Sequence, residues 1–177
     1  MSNMNTGLVH LYVGDGKGKT TAAMGLALRA LGSGKRVLIA QFLKGSPTGE
    51  LEPLNRLGVA VIRTKDVKKF VFQMDEGERA LTKKACEDCL AAVERGLAAG
   101  SYDLIVLDEV VDAVNCAMLT SEHLLQVIAS RGASVEIVMT GRNPNDDITA
   151  VADYLTVMTA LKHPYQRGIQ SRKGIEY

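Results

Sequence analysis

The chain has no tryptophan, and its aromatic content is limited to 3 phenylalanines and 5 tyrosines in 177 residues. It has no excess of either charge: 21 Lys and Arg face 20 Asp and Glu, for a formal net charge of +1. That balance argues against a generally basic nucleic-acid binder. No apolar run reaches the roughly 18 residues that a membrane span requires. Met1 to Thr6 is short and polar and lacks the apolar centre of a secretion signal. The 3 cysteines are odd in number and have no such signal before them, so a reducing compartment, the cytoplasm, is expected. Cys86 and Cys89 have C-x-x-C spacing, but there is no second pair and no nearby histidine. Two small apolar residues in a helix stripe account for them better than a zinc or redox site does. Repeats, low-complexity segments and linkers are also missing. With 46% hydrophobic and 23% charged residues, the composition is that of one globular domain. Residues 7–177 are expected to form it, after a short polar tail at 1–6.

The most informative stretch runs from Val9 to Thr21. Apolar residues lead into Gly14-Asp15-Gly16-Lys17-Gly18-Lys19-Thr20-Thr21, and a long helical pattern follows. Strand, glycine loop and helix in that order make a phosphate-binding loop, in which backbone amides and a helix N-terminus face the anion. Lys19 adds a point charge on the phosphates and Thr20 a hydroxyl for magnesium. The usual G-x-x-x-x-G-K-[ST] pattern requires a glycine five residues before Gly18, where Val13 stands. The loop is therefore one residue short and holds its anion differently.

The rest of the chain alternates strand and helix, which predicts an α/β fold around a mostly parallel sheet. Strands are expected at Leu8–Val13, Val37–Phe42, Val59–Arg63, Asp103–Glu109, Val135–Met139 and Tyr154–Met158. The continuous apolar run Val37–Phe42 indicates burial on both faces, as in a parallel sheet. Helices are expected from Lys19 to about Leu31, with most sides covered, and at Glu50–Leu57 and Asp75–Ala99. Further ones are expected at Val110–Cys116, Thr120–Arg131 and Ile148–Asp153. In the long helix, Leu81, Ala85, Cys89 and Val93 recur at a spacing of four, and Cys86, Leu90 and Leu97 widen the stripe. Lys65 to Met74 reads as either an edge strand or an exposed loop, with Phe70 and Phe72 tucked against the core or facing a ligand. The loop Lys44 to Glu50 follows a strand's carboxyl end, where open α/β sheets put their ligands, or is a plain connector. Composition makes Lys162 to Tyr177 a frayed terminus.

Asp103-Leu104-Ile105-Val106-Leu107-Asp108-Glu109 is a buried strand that delivers two carboxylates at its end, the Walker B arrangement. Asp108 would orient a magnesium ion or its waters. Glu109 would contact the metal or serve as a base. Arg142, after the fifth strand, could meet phosphate or be an ordinary surface arginine. Together these parts predict a magnesium–nucleotide protein. Three uses of the nucleotide remain open on the residues alone: a P-loop ATPase or kinase that cleaves a phosphoanhydride, transfer of another part of ATP with the phosphates leaving, and a non-catalytic switch. The shortened loop leans toward the second.

The chain resembles the P-loop type of corrinoid adenosyltransferase, ATP:cob(I)alamin adenosyltransferase. The resemblance is carried by Gly14 to Thr21, Gln41-Phe42-Leu43-Lys44-Gly45, Asp103 to Glu109 and Thr140-Gly141-Arg142. It continues through Ala152-Asp153, Lys162-His163-Pro164-Tyr165 with Gly168, and Gly174-Ile175-Glu176, and so spans Gly7 to Tyr177. The short loop with its lysine at Lys17 is specific to that family. The resemblance implies a single-domain, three-layer, RecA-like fold and a homodimer. It also implies transfer of the 5′-deoxyadenosyl group of ATP to Co(I) of a reduced corrinoid, cob(I)alamin or a precursor, with release of triphosphate. Gly14 to Thr21 and Arg142 would bind the nucleotide, and Lys19 and Glu109 would be the catalytic groups. Thr20 and Glu109 would hold Mg2+, or Mn2+ in its place. A flavoprotein reductant would deliver Co(I). The family's N-terminal helical cover is expected to be missing or to come from elsewhere, since six residues precede Gly7. A family segment that often reads Phe-x-Trp is Phe72-Gln73-Met74 here; Phe72, with Met74, would pack near the corrinoid and displace its lower axial ligand.

Overall fold

The computed structural model describes residues 6–45, 48–64, 67 and 69–176. Six strands form one sheet: β1 (Val9–Val13), β2 (Val37–Gln41), β3 (Ala60–Arg63), β4 (Leu104–Asp108), β5 (Glu136–Gly141) and β6 (Tyr154–Val157). Their order is β3-β2-β4-β5-β1-β6, and every pairing is parallel. Among the described residues six α-helices cover it: α1 (Lys19–Gly32), α2 (Leu51–Arg56), α3 (Glu76–Ala98), α4 (Val110–Asn115), α5 (Ser121–Ala129) and α6 (Asp146–Ala150). Among the described residues no helix is long and apolar enough to cross a membrane.

Successive strand residues point to opposite faces, so the apolar runs supply two layers at once. Leu38, Ala40, Ile105 and Leu107 pack with residues of α3, α4, α5 and α6 on one face. Val37, Ile39, Leu104 and Val106 pack with Ala23, Ala27 and Ala30 of α1 and Leu54 of α2 on the other. The result is an α/β sandwich: the alternation of elements led to the expectation of α/β, and the resemblance to that of three layers.

Several boundaries and faces differ from the sequence reading. Helix α1 buries one alanine-rich face, while Leu28 on the other side is exposed, so the helix is covered on one side and not on most. In α3 the buried residues are Thr82, Cys86, Cys89, Leu90, Val93 and Leu97, and Leu81 is 73% exposed. The reason is geometric: four residues exceed one 3.6-residue turn, so three steps of four rotate the stripe by about 120°. Alternating steps of three and four keep the stripe on the core. Cys86 and Cys89 are buried thiols of that stripe, pushed up by burial to about 11 and about 12 respectively. Helix α6 starts two residues early because the Asn145 side chain accepts the Ile148 N–H and caps it. Of the segment 65–74, Lys65, Asp66 and Lys68 lie outside the described residues. The remainder is a loop with a 3-10 turn at Val71–Gln73, not an edge strand. Val71 is buried, whereas Phe70 and Phe72 are 70% and 81% exposed and stack with ring centroids 5.6 Å apart, so the core does not hold these two rings.

The corrected stripe has a stability consequence. Leu107→Ala in fully buried β4 should cost about 2–5 kcal/mol, while Leu81→Ala should stay within about 0.5 kcal/mol of wild type, as read from urea unfolding midpoints.

Candidate nucleotide and corrinoid site

The carboxyl ends of β1, β4, β5 and β2 meet at one edge of the sheet, and Asp108 lies at their centre. Its side chain has no solvent exposure. Four donors saturate it. Oδ1 accepts the hydroxyls of Thr20 at 2.9 Å and Thr140 at 2.8 Å. Oδ2 accepts Gln41 Nε2 at 3.3 Å and Lys44 Nζ at 2.6 Å. Each donor comes from a different element. Thr20 opens α1, Gln41 ends β2, Lys44 follows β2, and Thr140 is near the end of β5. Because β5 lies between β1 and β4, Thr140 is the residue that ties the Walker acid to the neighbouring strand.

Glu109 follows with φ 61°, a left-handed conformation unusual for a side chain this large. Its N–H donates to Thr140 Oγ1 at 2.8 Å, which compensates part of that strain. Burial pushes the Glu109 carboxyl up to about 7; Lys44, 3.5 Å away, opposes that shift, and Asp108 and Asp112 add to it. Lys44 is drawn down by burial and up by Asp108 and Glu109, and the net direction is up.

The phosphate loop is braced from outside. Met158, just past β6, presents its carbonyl to the Gly16 N–H at 2.7 Å. Gly14 has φ 111°, and a Cβ there would collide with the same carbonyl, so both conformation and space require glycine. Asp15 Oδ1 accepts the Ala160 N–H at 3.1 Å and closes the brace. Gly18 is the residue before α1, with φ 121°. Lys19 folds back over the loop, donating to the carbonyls of Gly14 at 2.7 Å and Gly16 at 3.0 Å. Burial and then Arg142 lower its ammonium; Asp112, Asp15 and Glu109 act against them. Lys17 Nζ donates to the Ile175 carbonyl at 3.1 Å. The carboxyl-terminal segment therefore reaches the loop instead of fraying, and it carries its own turn at Pro164–Arg167.

A cavity of about 740 Å3 opens over these groups. Asp15 to Thr21, Glu109 and Arg142 line it, and so do Phe70 and Phe72 on another wall. A second hollow of about 930 Å3 adjoins it through Thr20, Glu109 and Phe70. One cleft thus joins a polar, phosphate-loop end to an exposed aromatic pair. Met74 is not brought there: it packs against the core, and its Sδ accepts the Thr82 hydroxyl at 3.4 Å.

Four site residues escaped the sequence reading. Lys44, Gln41 and Thr140 stood in motifs without an assigned role. Asp112 lies one turn into α4, lines the cavity and faces Arg142 and Lys19; burial raises its carboxyl against both cations. Its helical spacing from Glu109, three residues, places the two carboxylates on neighbouring positions and was the available signal.

The donor set fits a hard divalent cation. Thr20, Asp108 and Glu109 offer oxygen only, and magnesium sites typically use one or two carboxylates completed by substrate phosphates. No group of three metal-binding His, Cys, Asp or Glu side chains occurs among the described residues, so the nucleotide would have to complete the shell.

The Glu109 shift has a sign that can be checked without ligand. A carboxyl raised in the folded state binds its proton more tightly there than when unfolded. Nucleotide-free protein should therefore lose stability as pH rises from about 4.5 to about 7 on this account. Glu109→Gln should remove that contribution, so its stability relative to wild type should rise across this window and level off on both sides, measured by urea titrations at a series of pH values.

Residues 5–177 match the family described as ATP:corrinoid adenosyltransferase BtuR/CobO/CobP. The corrinoid adenosyltransferase of Escherichia coli K12 is 35% identical over 172 residues, covering 97% of this chain and 86% of that protein. Corrinoid adenosyltransferase CobA of Salmonella typhimurium LT2 is 34% identical over the same shares. The Pseudomonas aeruginosa corrinoid adenosyltransferase is 33% identical, covering 97% of this chain and 84% of its own length. With the short phosphate loop, the saturated Walker aspartate and the aromatic wall in one cleft, the match over nearly the whole length establishes that the chain belongs to the ATP:corrinoid adenosyltransferase family.

Proposed function

We propose that the protein transfers the 5′-deoxyadenosyl group of ATP to the cobalt of a reduced corrinoid. The observation that carries this reading is the cleft with two unlike walls, cationic and hydroxylic around Lys19 and Thr20, apolar at Phe70 and Phe72. In the step, Co(I) forms a bond to C5′ while the C5′–O5′ bond breaks. The electron pair of that bond leaves with inorganic triphosphate, and cobalt is formally oxidised to Co(III).

Such a displacement needs no nucleophile from the protein. It needs the two reactants held in line and the charge that gathers on the triphosphate stabilised. The loop amides at the start of α1, Lys19 and Arg142 are the groups for that charge. Lys19 would exchange the carbonyls of Gly14 and Gly16 for phosphate oxygens. Lys17 would exchange the Ile175 carbonyl in the same way. Gly14, Asp15 and Gly16, braced by Met158 and Ala160, fix the shape of the shortened loop, and Gly18 and Thr21 flank Lys19 and Thr20 at the helix entrance. Asp112 sits opposite Arg142 and Lys19 and would keep both cations aimed at the ligand. Thr20 and Glu109 would hold a magnesium or manganese ion, which would supply further charge to the leaving triphosphate. Asp108, with its four acceptor positions filled, would orient this set from beneath.

On the other wall, Phe72 offers an apolar surface to the lower face of the corrinoid, where it would exclude an axial ligand and favour four-coordinate cobalt. Met74 would act only from behind that turn, through the core contacts that hold it. A flavoprotein reductant is the class of partner that would keep the corrinoid as Co(I). The homodimer reading draws support from β6, an edge strand whose Tyr154, Leu155 and Val157 are exposed apolar residues. Free cysteines agree with a cytoplasmic setting.

The test supplies ATP, magnesium and chemically reduced cobalamin and identifies both products. Triphosphate with a cobalt–carbon bonded corrinoid is expected; ADP and phosphate with unchanged corrinoid would replace the reading by an ordinary ATPase or kinase. Nucleotide-dependent binding of a partner without turnover would replace it by a switch. Lys19→Ala should lower kcat/KM by about 10²–10³. Phe72→Ala should lower corrinoid turnover and leave ATP affinity unchanged, as measured by calorimetry with ATP alone.

A further inference from the structure

Lys44 points its ammonium into the site from a backbone that has little freedom. Leu43 before it has φ 56°. Gly45 after it lies so close to Val67 that a Cβ would collide with the Val67 carbonyl. The stem is mostly buried, and Nζ reaches three oxygens: Asp108 Oδ2 at 2.6 Å, Thr20 Oγ1 at 3.3 Å and Glu109 Oε1 at 3.5 Å. These belong to the three side chains whose donor chemistry fits a divalent cation. An ammonium and a divalent cation compete for such oxygens and repel each other across them. A carboxylate as buried as Asp108 also needs a positive partner at all times.

We infer that Lys44 is a displaceable counter-ion: in the nucleotide-free protein its ammonium stands where the metal's charge will act, and it yields that place when metal and polyphosphate enter together. The inference rests on the reading of Thr20, Asp108 and Glu109 as the metal end of the site. Asp108 is neutralised before any ligand arrives, so a bare divalent ion finds little net attraction and must evict a buried cation. A metal–nucleotide complex brings phosphate oxygens that accept the released ammonium. The flexible four-carbon stem can make that move while the backbone between Leu43 and Gly45 stays fixed. Lys44 also lines the second hollow, beside Thr20 and Glu109, so the ammonium has open space next to its present position. Metal and nucleotide then bind with positive coupling, each strengthening the other.

The experiment uses Mn2+ as the probe and reads free Mn2+ by electron paramagnetic resonance, with the whole protein and no nucleotide. Lys44→Met should bind Mn2+ at least about tenfold more tightly than wild type, because it removes the competing charge. Lys44→Arg keeps the charge and should stay as weak as wild type. With ATP present the order should reverse, Lys44→Met binding Mn·ATP more weakly than wild type. Thermal melts give a second reading. Lys44→Met should melt lower than wild type without metal and recover with Mn2+ alone, while wild type should not respond to Mn2+ until ATP is added. Equal nucleotide-free Mn2+ affinity in wild type and Lys44→Met would overturn the inference. So would a Lys44→Met chain that fails to fold with Mn2+ as well as without it, since the metal would then be no substitute for the ammonium. Glu109→Gln separates the two layers of the argument. If it leaves Mn·ATP binding unchanged, the metal end itself is misassigned. If it abolishes that binding while Lys44→Met shows no gain, only the counter-ion role falls.

Discussion

A carboxylate with no access to water is stable only where other groups replace water on every side. Asp108 is such a group, and its four donors come from α1, β2, the loop after β2, and β5. That single requirement joins parts of the chain that are far apart in sequence. It holds the entrance of the phosphate-loop helix against the Walker strand, and it brings the loop after β2 into the site. Through Thr140 it also supports the left-handed turn at Glu109. Removing one donor without a substitute leaves part of a buried charge uncompensated, so the remaining contacts are weakened with it.

The same arrangement gives one cleft two chemically different walls. The loop amides and cations sit where strands end, because parallel strands deliver side chains to a common edge. The aromatic pair sits on a turn outside the sheet, fixed by buried Val71 beneath it. Arg79 adds a tie between the two walls: its guanidinium donates to the carbonyl of Val71 at 3.2 Å and to that of Cys116, just past α4, at 3.4 Å. The helix that begins beside Glu109 and the turn that carries Phe72 are thereby held in a fixed relation.

Much of this was legible in the residues. The glycine loop with Lys19 and Thr20, and the apolar run ending in Asp108 and Glu109, announce themselves because local composition sets their local structure. A mostly parallel sheet followed from the alternation of elements and the continuous apolar run of β2, and the observed sheet is parallel at every pairing. The contact of Lys44 with Asp108 was hidden, because it depends on a strand pairing, β2 beside β4, that no local pattern reveals. Asp112 was hidden for a related reason: one acid in a helix is ordinary until Arg142 and Lys19 are seen opposite it. The tail from Lys162 looked unstructured by composition, since its order comes from contacts such as Lys17 with the Ile175 carbonyl and not from periodicity. Met74 turned out to belong to the core, where Thr82 of α3 meets its sulfur.

In the proposed reaction the protein supplies position and charge, while the corrinoid itself is the nucleophile at C5′. The most direct measurement is the stereochemical course at that carbon, using ATP stereospecifically deuterated at C5′ and reading the adenosylated corrinoid by NMR. A single in-line displacement predicts inversion of configuration. Retention would contradict the account, because it requires two displacements and therefore a covalent adenosyl–protein intermediate.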